Sequence, residues 1–167
     1  MSDSPGSLAD HVCLAVIAEQ PTHGWAIVKL LRPDGDLGRI WSLSRPLTYR
    51  SIDRLADAHL IEREDDGRRT ELRITTSGRS AARTWLGEPV DHVRDLRTEF
   101  LLKLRLHERS ALDPAPLIAA QRRTLRTAID ALTSGAPADA VELWRQESAR
   151  AVHRFLDRID EHVVSSP

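Results

Sequence analysis

The stretch LTYRSIDRLADAHLIE, from Leu47 to Glu62, changes period in mid-course, and that change restricts the fold more than any other feature of the chain. Thr48, Ile52 and Leu55 recur at i, i+4 and i+7, the spacing of one buried helical stripe, with Ala56 and Ala58 beside it. Arg45, Tyr49, Arg50, Asp53 and Arg54 are left on the other faces. After Leu60 the pattern alternates. LIERED and TELRIT read as two strands with Ile61, Leu72 and Ile74 turned inward, joined through DGRR, where Asp66 and Gly67 signal a turn. The helix must therefore end abruptly at His59 and Leu60, because the chain enters the first strand at once.

The flanking segments supply more helices. Ser7 can cap a helix over Leu8–Glu19, with Asp10 three residues on as in a capping box, and Val12, Cys13, Ala15 and Val16 form its apolar face. QPTHG breaks the chain before a second helix over Gly24–Leu31, and Trp25 and Trp41 read as core. RPDGDLGR is a loop by composition, and IWSLS reads as a short strand. Ser44 then caps the third helix, whose first turn tolerates Pro46. Thr75 is an N-cap for a fourth helix that ends at Gly87.

From Asp91 onward only helices are expected. One carries Val93, Leu96, Phe100, Leu101 and Leu104 on a stripe. The next carries Leu117, Gln121, Leu125, Ala128, Ile129 and Leu132. Gly135 and Pro137 mark a reversal. A last helix, about 138–162, has Val141, Trp144, Ser148, Val152, Phe155 and Ile159 at steps of three and four. Two long antiparallel helices are too thin a bundle to bury both stripes, so a second copy of the chain is expected to cover what is left.

Helix, helix, helix, hairpin, helix is the order of a winged helix-turn-helix. The expected fold is mainly α with a small β-hairpin: a winged domain over 7–87, a helical dimerisation domain over 91–163, and flexible termini at 1–6 and 164–167. In such modules the third helix enters the major groove, about 12 Å wide, and the hairpin reaches the neighbouring backbone or minor groove, so the expected partner is double-stranded DNA. Net charge is −1, which by itself announces no nucleic-acid partner, but residues 39–83 hold ten Arg against seven Asp and Glu.

Several function classes are excluded or disfavoured. No apolar run approaches the ~20 residues that cross a bilayer, and MSDSPGSLADH lacks a signal-peptide pattern, so no membrane association and a cytoplasmic location are expected. Cys13, the single cysteine, lies in the apolar run VCLAVIA and reads as buried filler. The seven histidines are scattered without a metal-binding spacing, and no Walker loop, G-x-S-x-G or G-x-G-x-x-G is present. No cofactor, no metal and no catalysis are expected.

The chain also resembles the PadR family of bacterial transcriptional regulators. THGWAIVKLL resembles the family's G-Y-E-[L/I] helix, and WSLSRPLTYRSIDRLADAHLIE its S-x-G-T-[I/L]-Y-x-x-L-x-x-L-x-x-x-G-L-I segment. RITTSGR resembles Y-x-L-T-x-x-G-R, and DLRTEFLLKLRL the F-L-L-K-L linker helix. The likeness spans about 8–106. It departs at RPLTY, where the family commonly has P-G-T-[I/L]-Y, and at His59, where Gly often ends the helix. The resemblance implies a homodimeric repressor, often released by a small aromatic or drug-like effector.

On these grounds the candidate DNA contacts are Arg45, Thr48, Tyr49, Arg50 and Arg54 from the third helix and Arg68 and Arg69 from the hairpin tip. Candidate dimer contacts are Phe100, Leu101, Leu104, Val141, Trp144, Val152, Phe155 and Ile159. Trp144 is also the candidate effector contact, since aromatic-lined concavities favour planar ligands. The competing reading is a winged-helix module that binds another protein and leaves DNA alone. It draws on the balance of residues 1–87, twelve basic against twelve acidic.

Overall fold

The computed structural model describes residues 6–65, 67 and 69–164, the last five through their backbone only. Asp66 of the expected turn and Arg68, an expected DNA contact, lie outside these residues, as do 1–5 and 165–167 of the termini. The elements are α1 (Leu8–Glu19), α2 (Gly24–Leu31), α3 (Arg45–Asp57), β1 (Ile61–Asp65), β2 (Thr70–Ile74) and α4 (Thr76–Gly87). They are followed by α5 (Val93–Asp95), a π-helical turn (Leu96–Phe100), α6 (Leu101–Arg109), α7 (Ala115–Thr133) and α8 (Ala140–Val164). Two compact units result: Met1–Gly87 with Leu101–Leu112, and Glu88–Phe100 with Asp113–Pro167.

The first unit is a winged helix built around α1. Val12 through Ile17 are all buried, so this helix is apolar on every side and needs cover all round. α3, α4, α6 and β2 provide it. Ser7 Oγ accepts the Asp10 N–H at 3.3 Å, as the sequence predicts, but the capping box does not close. The Asp10 carboxylate is buried and turned towards α3 instead. Cys13 is fully buried, and burial pushes its thiol up to about 12.

α3 buries Thr48, Ser51, Ile52 and Leu55, one arc of the helix. Ser44 occupies the N-cap position, but its hydroxyl makes no cap; its carbonyl instead accepts the Thr48 N–H at 2.9 Å and the Thr48 hydroxyl at 3.1 Å. The helix stops in a Schellman arrangement, with the His59 N–H on Ala56 O and the Leu60 N–H on Leu55 O, both at 3.0 Å. His59 sits there at φ 54, in the left-handed region where glycine is usual.

β1 and β2 pair antiparallel, Ile61 opposite Ile74 and Asp65 opposite Thr70. An isolated antiparallel bridge from Thr22 to Leu72 sets a third segment beside β2 and fastens the α1–α2 connection to the hairpin. Thr75 Oγ1 accepts the Gly78 N–H and donates to Leu60 O at 2.9 Å, which docks α4 under the end of α3. A Cβ at Gly78 would lie 2.0 Å from Leu60 O, so only glycine permits this approach.

Several expectations are corrected. IWSLS forms no strand: Ile40 and Trp41 donate to Leu37 O, and Leu43 donates to Leu31 O, so the segment folds into turns that finish α2. Trp25 is not core but 45% exposed. Residues 101–112 do not belong with the C-terminal helices. Leu102 and Leu106 are fully buried in the first unit, and Arg109 pairs with Glu19 and Asp36, and Arg105 with Asp36. The π-turn accounts for the changed face. It inserts extra residue length into the helical repeat, so burial moves from Leu96 and Phe100 to Leu102, Lys103, Leu106 and His107. Leu101 and Leu104 are thereby only half-buried.

In the second unit α7 buries Leu117, Ile118, Gln121, Leu125 and Ile129 and packs along α8. The Gln121 amide closes two 2.8 Å bonds with the backbone of Val90, accepting its N–H and donating to its carbonyl. α8 starts on Asp139, whose carboxylate accepts the Val141 and Glu142 N–H groups. Its buried stripe is Gln146, Ala149 and Leu156. The predicted stripe is rotated away from it: Val141 and Trp144 are 57% and 73% exposed, and Val152, Phe155 and Ile159 are half-buried. Phe100, an expected dimer contact, is fully buried within its own chain and has no surface to offer a partner.

Candidate nucleic-acid interface

A helix advances about 100° per residue, so the buried arc of Thr48, Ser51, Ile52 and Leu55 fixes what faces out. The outward pole is Arg50, Asp53 and, in the last turn, Asp57. Arg45 and Tyr49 lie at one rim and Arg54 at the other. Thr48 is fully buried and bonded to Ser44 O, so it is not presented on this face and is withdrawn as a DNA contact.

The charged residues of α3 are committed differently. Arg54 turns back to α1. Its Nη2 meets Asp10 Oδ1 at 2.5 Å and Ser51 Oγ at 3.0 Å, and its Nε meets both Asp10 oxygens at 3.1 Å. Burial alone raises the Asp10 pKa, but bonds from Arg54, Ser7 and Ser51 more than offset this and hold the carboxyl below the ordinary carboxylate range. The Arg54 guanidinium is raised in turn, chiefly by its bond to Asp10. Arg54 is thus a strut between α3 and α1 and not a free reader of DNA.

Asp53 is neutralised by an ion pair to Arg63 of β1, which also ties the helix to the hairpin. Arg50 is exposed and forms no ion pair with any described residue. Arg45 is likewise without a carboxylate partner among the described residues, and lies within cation–π reach of two rings. Its guanidinium carbon is 5.8 Å from the Trp25 ring centroid and 5.7 Å from that of Tyr49. Tyr49 is 37% exposed, and its ring rests on Gly24, where a Cβ would fall 2.7 Å from Tyr49 Cε1.

A cleft of about 520 Å³ opens between α2, α3 and the hairpin, with His23, Trp25, Tyr49, Asp53, Arg63 and Arg69 in its wall. His23 caps α2, accepting the Ala26 N–H on Nδ1 at 3.2 Å, and its Nε2 lies 3.5 Å from Arg69 Nη1. Arg69 therefore joins the α3 residues on one side of the unit. The rest of the hairpin is mixed in charge: Arg73 bridges Glu64 at 2.8 Å and Glu71 at 2.6 Å, two carboxylates that face each other across the strands.

Sequence reasoning missed Gly24, Trp25 and Arg63. A signal for Trp25 existed, since the stripe of Ile27, Val28 and Leu31 already fills the buried side of α2 and leaves Trp25 off it. Trp85 is buried, stacked on His11 at 5.1 Å, with Lys103 Nζ 4.9 Å from its ring centroid. Trp144 stays exposed. Among the described residues no cluster of His, Cys, Asp and Glu is placed to hold a metal ion, and no helix is long and apolar enough to cross a membrane.

No family model and no curated protein matches the sequence. Among solved structures the chain is similar to the crystal structure of Bacillus subtilis PadR in complex with operator DNA, at 17% sequence identity and a TM-score of 0.44, over 90% of this chain and 96% of that one.

Proposed function

We propose that the chain is a cytoplasmic DNA-binding transcriptional regulator that works as a homodimer and represses by occupying a palindromic operator. α3 of each protomer enters a major groove, and the hairpin lies along the flanking backbone. Arg50 and Arg45 meet phosphates or guanine edges, the Tyr49 hydroxyl meets a phosphate, and Arg69, together with Arg68 beyond the described residues, serves the wing. The half-exposed α8 face of Val141, Trp144, Val152, Phe155 and Ile159 is covered by the second copy. Two copies then hold their α3 helices about one duplex turn apart, ~34–36 Å. A small aromatic or drug-like effector that stacks on Trp144 and favours another spacing releases the DNA.

The observation that carries this reading is the outward pole of α3. An arginine without an ion pair among the described residues stands there, flanked by an exposed tyrosine and a second arginine in contact with two rings. Arg54 and Arg63, by contrast, have their charge taken up by Asp10 and Asp53.

The test is selection of duplexes from a randomised library by the purified protein, followed by titration of the recovered duplex over a range of salt. The expected result is a palindromic consensus bound by two chains, with affinity falling steeply as salt rises through counterion release. Failure to enrich any duplex at low salt overturns the reading and favours the protein-binding alternative, with which the exposed Glu62, Glu64 and Asp65 of β1 agree.

A further inference from the structure

We propose that the first turn of α2 is a positioning element for this interface, with Trp25 holding the Arg45 guanidinium and Gly24 seating the Tyr49 ring. The inference rests on the DNA-binding reading above and assigns a role to two residues outside the recognition helix.

Trp25 is 45% exposed in a unit that buries Trp85. It is not a core residue displaced by crowding, because α2 buries Ile27, Val28 and Leu31 on its other side. What the exposed indole does touch is Arg45, within the ~6 Å at which a cation is attracted to a ring face. The Tyr49 ring centroid lies 5.7 Å from the same guanidinium carbon, so rings from two different helices both contact one guanidinium.

The chemistry of these ring contacts differs from an ion pair. A carboxylate would neutralise Arg45 and occupy its N–H donors, as Asp10 does to Arg54. Rings carry no net charge, so Arg45 is held in place while keeping its full positive charge for a phosphodiester oxygen or a guanine edge. Ordering a long side chain before binding removes entropy that would otherwise be lost on contact. Gly24 completes the arrangement: a side chain there would displace the Tyr49 ring, with clashes of 2.7 Å at Cε1 and 3.1 Å at Cζ.

The experiment measures affinity for the selected duplex by fluorescence anisotropy, with a thermal midpoint for every variant. The variants are Trp25→Ala, Trp25→Phe, Arg45→Ala, the double variant Trp25→Ala with Arg45→Ala, and Arg50→Ala as a control. Trp25→Ala is expected to weaken binding about fivefold, the size of a cation–π contact, with the thermal midpoint unchanged. Trp25→Phe, which keeps a ring face, is expected to stay within about twofold of wild type. In the Arg45→Ala background Trp25→Ala should add less than about twofold, since there is no guanidinium left to hold. An equal loss in both backgrounds, a loss that Phe does not rescue, or no loss overturns the assignment. If Arg50→Ala weakens binding while Trp25→Ala does not, this inference alone falls; if neither matters, or no duplex binds, the DNA-binding reading falls with it.

Discussion

Arg50 and Arg54 stand one turn apart on α3, and the difference in their surroundings separates affinity from stability. Arg54 neutralises a carboxylate that is 3% exposed, so its removal leaves Asp10 in the interior without its cation. Arg54→Ala is expected to destabilise the protein by about 1–3 kcal/mol at neutral pH in urea unfolding. The pH dependence has a definite sign. The folded Asp10 carboxyl lies below its unfolded value, so the stabilisation is complete above the unfolded carboxylate range and is lost as pH falls through the folded value. The gap between wild type and Arg54→Ala should therefore narrow in acid. A variant of unchanged stability that binds duplex poorly would mean that Arg54 reads DNA after all. The sequence placed Arg54 correctly outside the buried stripe, but its partner lies 44 residues away, and periodicity carries no information at that range.

At the scale of elements, what local chemistry decides was legible and what distant packing decides was not. The ends of α1 and α2 fall where Ser7, the QPTHG break and the turn after Leu31 place them. The hairpin follows from alternation and Gly67, which adopts φ 80 and donates its N–H to Asp65. α6 is different. Its membership of the first unit depends on Arg105 and Arg109 meeting Asp36 and Glu19 across 69 to 90 residues of chain. It also depends on a π-turn that shifts the apolar stripe, which a uniform helical period does not reveal. Leu106→Ala is expected to cost about 2–5 kcal/mol, the range for a buried leucine cavity. Hydrogen exchange should then quicken in α1 and α4 before it does in α7 and α8. Faster exchange confined to α7 and α8 would return α6 to the C-terminal unit.

For the whole molecule, a net charge of −1 conceals how the cations are distributed. Arg54, Arg63, Arg73, Arg105 and Arg109 are all engaged by carboxylates within the first unit. On α3, Arg50 at the outward pole and Arg45 beside the Trp25 and Tyr49 rings are not engaged in this way among the described residues. Composition could not show this, because it counts paired and unpaired arginines alike. The α8 face was legible in its residue types but not in its orientation, since the same apolar residues would have served equally well against α7.

Whether the outward pole of α3 reads DNA is tested by the affinity of Arg50→Ala for the selected duplex, taken beside its thermal unfolding. Binding is expected to weaken about fivefold or more, about 1 kcal/mol, with the thermal midpoint unmoved. Wild-type affinity in a fully folded Arg50→Ala protein would remove the outward face of α3 from the DNA interface.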